Sequence, residues 1–334
     1  MNDSDDLIIG KDFWINLSVS PCSSATALGF DDSQINRLTL RIAHYWLGKL
    51  YKLMLGHDWR EGGIMRTVGT LTETTTPLRF RKDQFPRLLN LVPHPSTTQL
   101  NKSGQHAAEA SEGLLQVWRL YDLLWPSPGL DSKRGAALDS SPLSLQSTVQ
   151  AHMAPSKRLQ SIWGKDMLSR LWVLRHVMTE MLQPGARICL GGTTSGYGGW
   201  IPGIAEEAYF AYRSDKPLYL IGGFGGATAE VIAAMCPEMR STLYGVEETR
   251  KKSIDLFYQH ADRAARAPTA MKKRFGVGER NVFEYFASQG IEKLSSANGL
   301  SVSENQQLFR CTDIEQALRL IHVGVRNVVG STTR

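Results

Sequence analysis

The chain has 334 residues, enough for one large α/β domain or two small ones. Its 42% hydrophobic content is ordinary for a globular protein and excludes chain-wide disorder. The formal charge of +6 is mild, because 32 acidic residues are spread among 38 basic ones; this excludes a nucleic-acid tail and leaves an excess that attracts an anionic ligand.

The opening "MNDSDDLIIGKDFW" is acidic and lacks both a basic start and a long apolar run, so it does not read as a signal peptide. No apolar stretch reaches the roughly 18 residues of a membrane span. Cys22, Cys189, Cys236 and Cys311 are scattered, with no CxxC pair and no metal spacing. They are expected as small buried hydrophobes in a reducing cytoplasm.

"DFWINLSVS" (12–20) alternates and is β-branched, which predicts a first strand. "CSSATALGFDDSQ" reads as a loop, with Asp32 or Ser33 capping a helix over 34–50. "YKLML" (51–55) is a second strand, "GHDWREGG" (56–63) a glycine-bearing turn, and "IMRTVGTL" a helix. A third strand falls within 85–95. Residues 96–157 are rich in Ser, Gly, Gln and Pro and read as a loop-rich insertion. Inside it, 112–124 is an ordered element that periodicity does not assign to helix or strand.

A long amphipathic helix follows over 156–182, broken near Gly164, with Met167, Leu171, Leu174 and Met178 on its apolar face. "ARICL" (186–190) is a buried strand, and "GGTTSGYGGWIPG" (191–203) a glycine loop. Pro202 suits the first helical position of a helix over 203–214. "KPLYLI" (216–221) is the next strand, then "GGFGG", then a helix over 227–236. Helices are expected over 246–266, 279–290 and 311–325. Strands alternating with helices imply a mostly parallel, Rossmann-like α/β sheet with helices on both faces and a helical C-terminal region from about 240. The chain is read as a single domain.

Three segments place glycines between a strand and a helix: 56–63, 191–203 and 221–227. A helix N-terminus offers unpaired N–H groups and the positive end of the helix dipole. Glycine ahead of it lets an anion reach the backbone, and a parallel sheet collects such turns at the carboxyl ends of its strands. "GGFGGA" is neither GxGxxG nor GxxxxGK[ST], and no ribose-binding acid follows about 20 residues on, so neither an ordinary NAD-binding dehydrogenase nor a P-loop NTPase fits.

Several long runs carry a family resemblance: "INLSVSPCSSATALGFDDSQINRLTLRIAHYWL", "GHDWREGGIMRTV", "ARICLGGTTSGYGGWIPGIAEEAYFAYRSDKPLYLIGGFGGAT" and "NGLSVSENQQLF". They resemble a bacterial, defence-associated branch of the SLOG superfamily. That superfamily takes in the Lonely Guy phosphoribohydrolases, the DNA-processing protein DprA, and the nucleotide-sensing regions of TRPM channels and Thoeris effectors. The resemblance implies a Rossmann-like domain that binds nucleotides or their derivatives, often ADP-ribose-like. Carried over by position, Gly191, Gly192, Gly196, Gly198, Gly203, Gly222, Gly223, Gly225 and Gly226 line the phosphate and ribose side of a pocket. Gly56, Asp58, Arg60 and Gly63 stand in its earlier loop, and Tyr197 at its edge.

The phosphoribohydrolases carry PGGxGTxxE, whose glutamate works on the N-glycosidic bond. Here Ile221 replaces the proline, Gly226 the threonine and Ala229 the glutamate. Glu230 sits one residue late, a rotation of about 100° on a helix, outside the hydrogen-bond reach that acid/base work needs. The resemblance therefore implies a binding module ahead of an enzyme.

Glu206 and Glu207 open a helix beside the glycine loop. Each is read either as complementing the helix dipole or as a ribose or acid/base carboxylate, and they are the weak catalytic candidates. Asp58 and Arg60 flank Trp59 as a local salt bridge or as a phosphate and base contact. No histidine has a metal partner four residues on, and no metal site or hydrolytic triad is proposed. Arg187 and Arg175 are read as structural. The expected ligand is a nucleotide derivative, with no other cofactor. The expected partners are an effector protein or copies of this chain, and no membrane. Nucleic acid is disfavoured, because the basic runs at 250–252 and 271–274 lack interleaved aromatics. An N-glycosidase using Glu206 or Glu207 is the alternative, and single-stranded DNA binding the third.

Overall fold

The computed structural model describes residues 13–56, 63–76, 86–93, 114–120, 167–181, 185–243 and 281–332. The strands are β1 (Trp14–Ser20), β2 (Lys52–Gly56), β3 (Leu88–Val92), β4 (Leu115–Arg119), β5 (Gly185–Gly191) and β6 (Leu218–Ile221). Their order is β4-β3-β2-β1-β5-β6, and every registered pair is parallel. This is the Rossmann-like α/β architecture that the alternation of elements implies. Helices α1 (Ser23–Ala27), α2 (Asp32–Gly48), α3 (Met65–Thr75) and α4 (Met167–His176) come before β5. Helix α5 (Gly203–Arg213) precedes β6, and α6 (Gly226–Met235), α7 (Arg240–Leu243), α8 (Val282–Asn298), α9 (Val302–Arg310) and α10 (Ile314–Thr332) follow it. No described helix is long and apolar enough to cross a membrane.

The chain forms two compact units, residues 1–16 with 43–184 and residues 17–42 with 185–334. In the first, β2 and β3 are buried almost throughout, as parallel strands covered on both faces must be. Leu53, Leu55, Leu88, Leu89 and Leu91 are all buried, each contributing roughly 1.5–3 kcal/mol over exposure. Arg87, buried ahead of β3, donates to Leu50 O and, at 3.2 Å, to Leu47 O. It gives carbonyls at the end of α2 a side-chain donor, and burial pulls its guanidinium down to about 10. The segment within 112–124 is a strand, β4.

In the second unit β5 and β6 pair through Ile188↔Tyr219 and Leu190↔Ile221. Helix α2 is capped by Asp31, whose Oδ1 accepts from Gln34 N at 2.7 Å while Asp31 N donates to Gln34 Oε1 at 2.7 Å. This reciprocal cap replaces the expected Asp32 or Ser33. The Gln34 N–H holds the Asp31 carboxyl below its usual range. The C-terminal helices dock through Asn298. Its Nδ2 donates to Leu218 O at 2.9 Å and to Asn305 Oδ1 at 2.8 Å, and its Oδ1 accepts from Leu300 N at 3.0 Å. Tyr219 OH donates to Asn298 O at 2.8 Å.

Several expectations are corrected. The stretch read as a loop after β1 contains α1. Pro202 is the cap of α5, one residue before its first helical position. Met167 is 43% exposed; the buried face of α4 and its continuing π-turn is Trp172, Val173, Leu174, Val177 and Met178. Helix α8 does not stop at Gly290 but kinks there, at φ 70°, and runs to Asn298. Tyr212 OH donates to the Gly290 carbonyl at 2.6 Å, which satisfies an acceptor at the kink. Helix α9 adds a separate element between the two helices that the sequence marks over 279–290 and 311–325. The helix placed over 246–266 lies outside the described residues.

Candidate functional site

Three strand ends of the second unit meet. The apolar run of β5 ends at Gly191, where an added Cβ would lie 2.5 Å from Ser20 O. Only glycine allows that approach, and the next amide, Gly192 N, donates to Ser20 O at 2.8 Å. The end of β1 is thereby stitched to the end of β5.

The β6 end closes the group. Gly222–Phe224 form a single 3₁₀ turn, and Gly225 and Gly226 then take φ of 71° and 70° to launch α6. A Cβ on Gly226 would stand 2.5 Å from Gly192 O and 2.7 Å from Cys22 Sγ. Three amides around the α6 N-terminus are satisfied by the protein itself. Gly225 N donates to Gly222 O at 2.9 Å, Gly226 N to Ser24 Oγ at 2.8 Å, and Ala227 N to Gly192 O at 2.9 Å. Thr228 Oγ1 donates to Gly191 O at 3.1 Å.

Helix α1 supplies the Ser24 hydroxyl. It is capped by the Cys22 thiol, which accepts from Ala25 N at 3.4 Å. Phe30, just beyond α1, stacks edge-on against Phe224 with ring centroids 4.7 Å apart.

The carboxylates beside the glycine loop perform distinct tasks. Glu206 is fully buried, and its Oε1 accepts from Ile201 N at 3.0 Å, anchoring the end of the loop at the start of α5. Glu207 Oε2 pairs with Arg187 Nη1 at 2.7 Å and accepts from Ser18 Oγ, and Arg187 Nη1 also donates to Ser18 Oγ at 2.5 Å. Arg187 is 1% exposed, so this pair neutralises a buried cation. Cys189 lies beside it, and burial pushes its thiol up to about 12. Ala229, at the position of the phosphoribohydrolase glutamate, is fully buried, and Glu230 is half-buried.

Of the residues singled out in the sequence, Gly191, Gly192, Gly225 and Gly226 come together here. Gly222 and Gly223 form the 3₁₀ turn ahead of Gly225, with their Cβ sides against the end of α9, where a Cβ would run into Phe309 O or Cys311 O. Gly196 and Gly198 are exposed in the loop, Tyr197 is half-buried, and Gly203 is the first residue of α5. Gly56 ends β2 and Gly63 precedes α3, both in the other unit. Asp58, Trp59 and Arg60 lie outside the described residues. Ser18, Cys22 (read only as a small buried hydrophobe), Ser24 and Thr228 carry no site role in the sequence reading. The run "SVSPCSS" after a first strand is the signal that could have found the first three, since short hydroxyl and thiol side chains cap turns and helices. Among the described residues, no group of three or more His, Cys, Asp or Glu could hold a metal ion.

A family model described as SLOG cluster2 matches residues 10–308. No curated protein and no solved structure matches the chain. The chain belongs to the SLOG cluster2 family, and its chemistry is therefore nucleotide-related binding or processing.

Proposed function

We propose that this SLOG protein binds a nucleotide-derived ligand, ADP-ribose-like or a cyclic nucleotide, as a cytoplasmic sensor in a bacterial defence or stress system. The observation that carries the reading is the meeting of the β1, β5 and β6 ends at the glycines ahead of α6. Carboxyl ends of parallel strands are where such sheets take ligands. Gly191, Gly192, Gly225 and Gly226 are the proposed phosphate side of that site, and the exposed loop around Gly196–Gly198 the proposed sugar or base side.

Sensing is favoured over hydrolysis by the carboxylates. Ala229 holds the place of the motif glutamate, Glu206 holds Ile201 N, and Glu207 holds Arg187. A general acid or base needs a carboxylate within hydrogen-bond reach of the scissile bond. The output then passes to an effector protein or to copies of this chain.

Calorimetry of the full chain with ADP-ribose, NAD and AMP, beside chromatography for released base, tests the reading. The expected result is binding without turnover. Release of free base by the wild type, lost in Glu206→Gln, sinks it in favour of an N-glycosidase. Glutamine keeps an acceptor for Ile201 N, so this variant removes the charge and spares the anchor.

A further inference from the structure

Helices α5 and α6 both start near these strand ends, and they differ in what their first amides hold. At α6 the amides of Gly225, Gly226 and Ala227 are all taken within the protein. Helix α5 is 11 residues long, its cap is Pro202, and no side chain caps it. Its first intrahelical bond runs from Glu206 N to Pro202 O at 3.0 Å, so the amides of Gly203, Ile204 and Ala205 come before the ladder begins. Among the described residues, no group accepts from them. Proline brings no side-chain acceptor to the cap, and Glu206, the acid of the first turn, accepts through Oε1 from Ile201 N, outside the helix.

A buried side chain next to that helix start has the same need. Trp200 is 6% exposed, and its indole Nε1 is shut off from solvent with no hydrogen-bond partner among the described residues. Buried N–H groups are almost always paired, and an indole N–H can only donate, so Trp200 needs an acceptor that the described residues do not supply. Three residues of chain, at most about 11 Å, separate it from Gly203. The start of α5 lies against the end of β5: a Cβ on Gly192 would stand 2.8 Å from Ile204 Cδ1 and 3.1 Å from Ile204 Cβ. Ahead of Trp200, Thr193, Ser195, Gly196 and Gly198 are exposed, so the loop is reached from solvent.

We infer that Trp200 is a ligand-contacting residue: its indole N–H and the amides of Gly203, Ile204 and Ala205 hold a phosphate oxygen of the bound nucleotide derivative at the start of α5. The inference rests on the proposed nucleotide-binding reading and adds a donor set on the α5 flank of its phosphate side. A charged oxygen suits this place. The positive end of the α5 dipole lies there, and hydrogen bonds to an ionised acceptor are the stronger ones. The indole contributes direction, because its one N–H is fixed in a rigid ring that packing holds in place.

The test follows the Trp200 indole N–H of the full chain by proton–nitrogen NMR, with ADP-ribose and with inorganic pyrophosphate as probes. Its signal is assigned among those of the eight tryptophans by its loss in Trp200→Phe or Trp200→Tyr, whichever folds. Both probes are expected to shift it, and the variant is expected to bind ADP-ribose about tenfold more weakly in calorimetry. A tryptophan that only fills the core would leave its indole signal in place when ligand is added. If the wild type binds ADP-ribose while that signal stays put, or if the variant binds as tightly as the wild type, the inference fails and the nucleotide-binding reading stands. If no nucleotide binds but pyrophosphate shifts the signal, the anion site stands and the nucleotide reading falls. If neither probe binds, both fall.

Discussion

A methyl group on Gly226 has nowhere to go. The residue sits at φ 70°, and its Cβ direction meets Gly192 O, the Gly191 carbonyl carbon and Cys22 Sγ, all within 2.7 Å. Gly226→Ala is expected to cost about 2–4 kcal/mol, combining left-handed strain with overlap against backbone that cannot yield. Urea denaturation measures it; a loss under about 0.5 kcal/mol would mean the three strand ends do not meet as described. Chemistry at Cys189 is equally local. The thiol is fully buried, and burial raises it, so little thiolate forms near neutral pH. Iodoacetamide at pH 8 is expected to spare Cys189 in the folded protein and to label it in urea.

At the scale of elements, β1, β5 and α5 are tied by Ser18, Arg187 and Glu207. Removing one partner of a buried pair leaves the other charge uncompensated, which costs about 3–5 kcal/mol when both are buried. Glu207 is 15% exposed and water relieves part of that cost, so Glu207→Gln is expected to lose about 2–3 kcal/mol in urea. The C-terminal helices depend on Asn298, whose side-chain amide and backbone carbonyl are all hydrogen-bonded. Asn298→Ala strands Leu218 O and Leu300 N, and is expected to cost about 2–3 kcal/mol. Exchange in α8, α9 and α10 should then rise before exchange in β5 does.

The strands were legible because parallel strands covered on both faces are nearly continuous apolar runs, as in "LYLI" and "ARICL". Helix α1 was not, since a single turn with one buried residue leaves no apolar period to read. The cap of α2 fell one residue early because three candidates, Asp31, Asp32 and Ser33, stand in a row and only the reciprocal Gln34 contact separates them. In the site, the glycines were legible as a group but not their partners. Gly222 and Gly223 answer to carbonyls of α9 far downstream, a contact with no local trace in the sequence. Ser24 was hidden for the same reason: its partner amide is at Gly226.

For the whole molecule, the SLOG family match over residues 10–308 and the parallel order of the six strands agree on a Rossmann-like protein of nucleotide-related function. Each of the two units has its own buried core, and the proposed phosphate site draws only on residues of the second. Hydrogen exchange across the full chain, with and without ADP-ribose or AMP, tests that placement most directly. The account predicts slowed exchange at 191–202 and at 222–230, with little change in β2 and β3. Protection confined to other segments, while a nucleotide is bound, would contradict it.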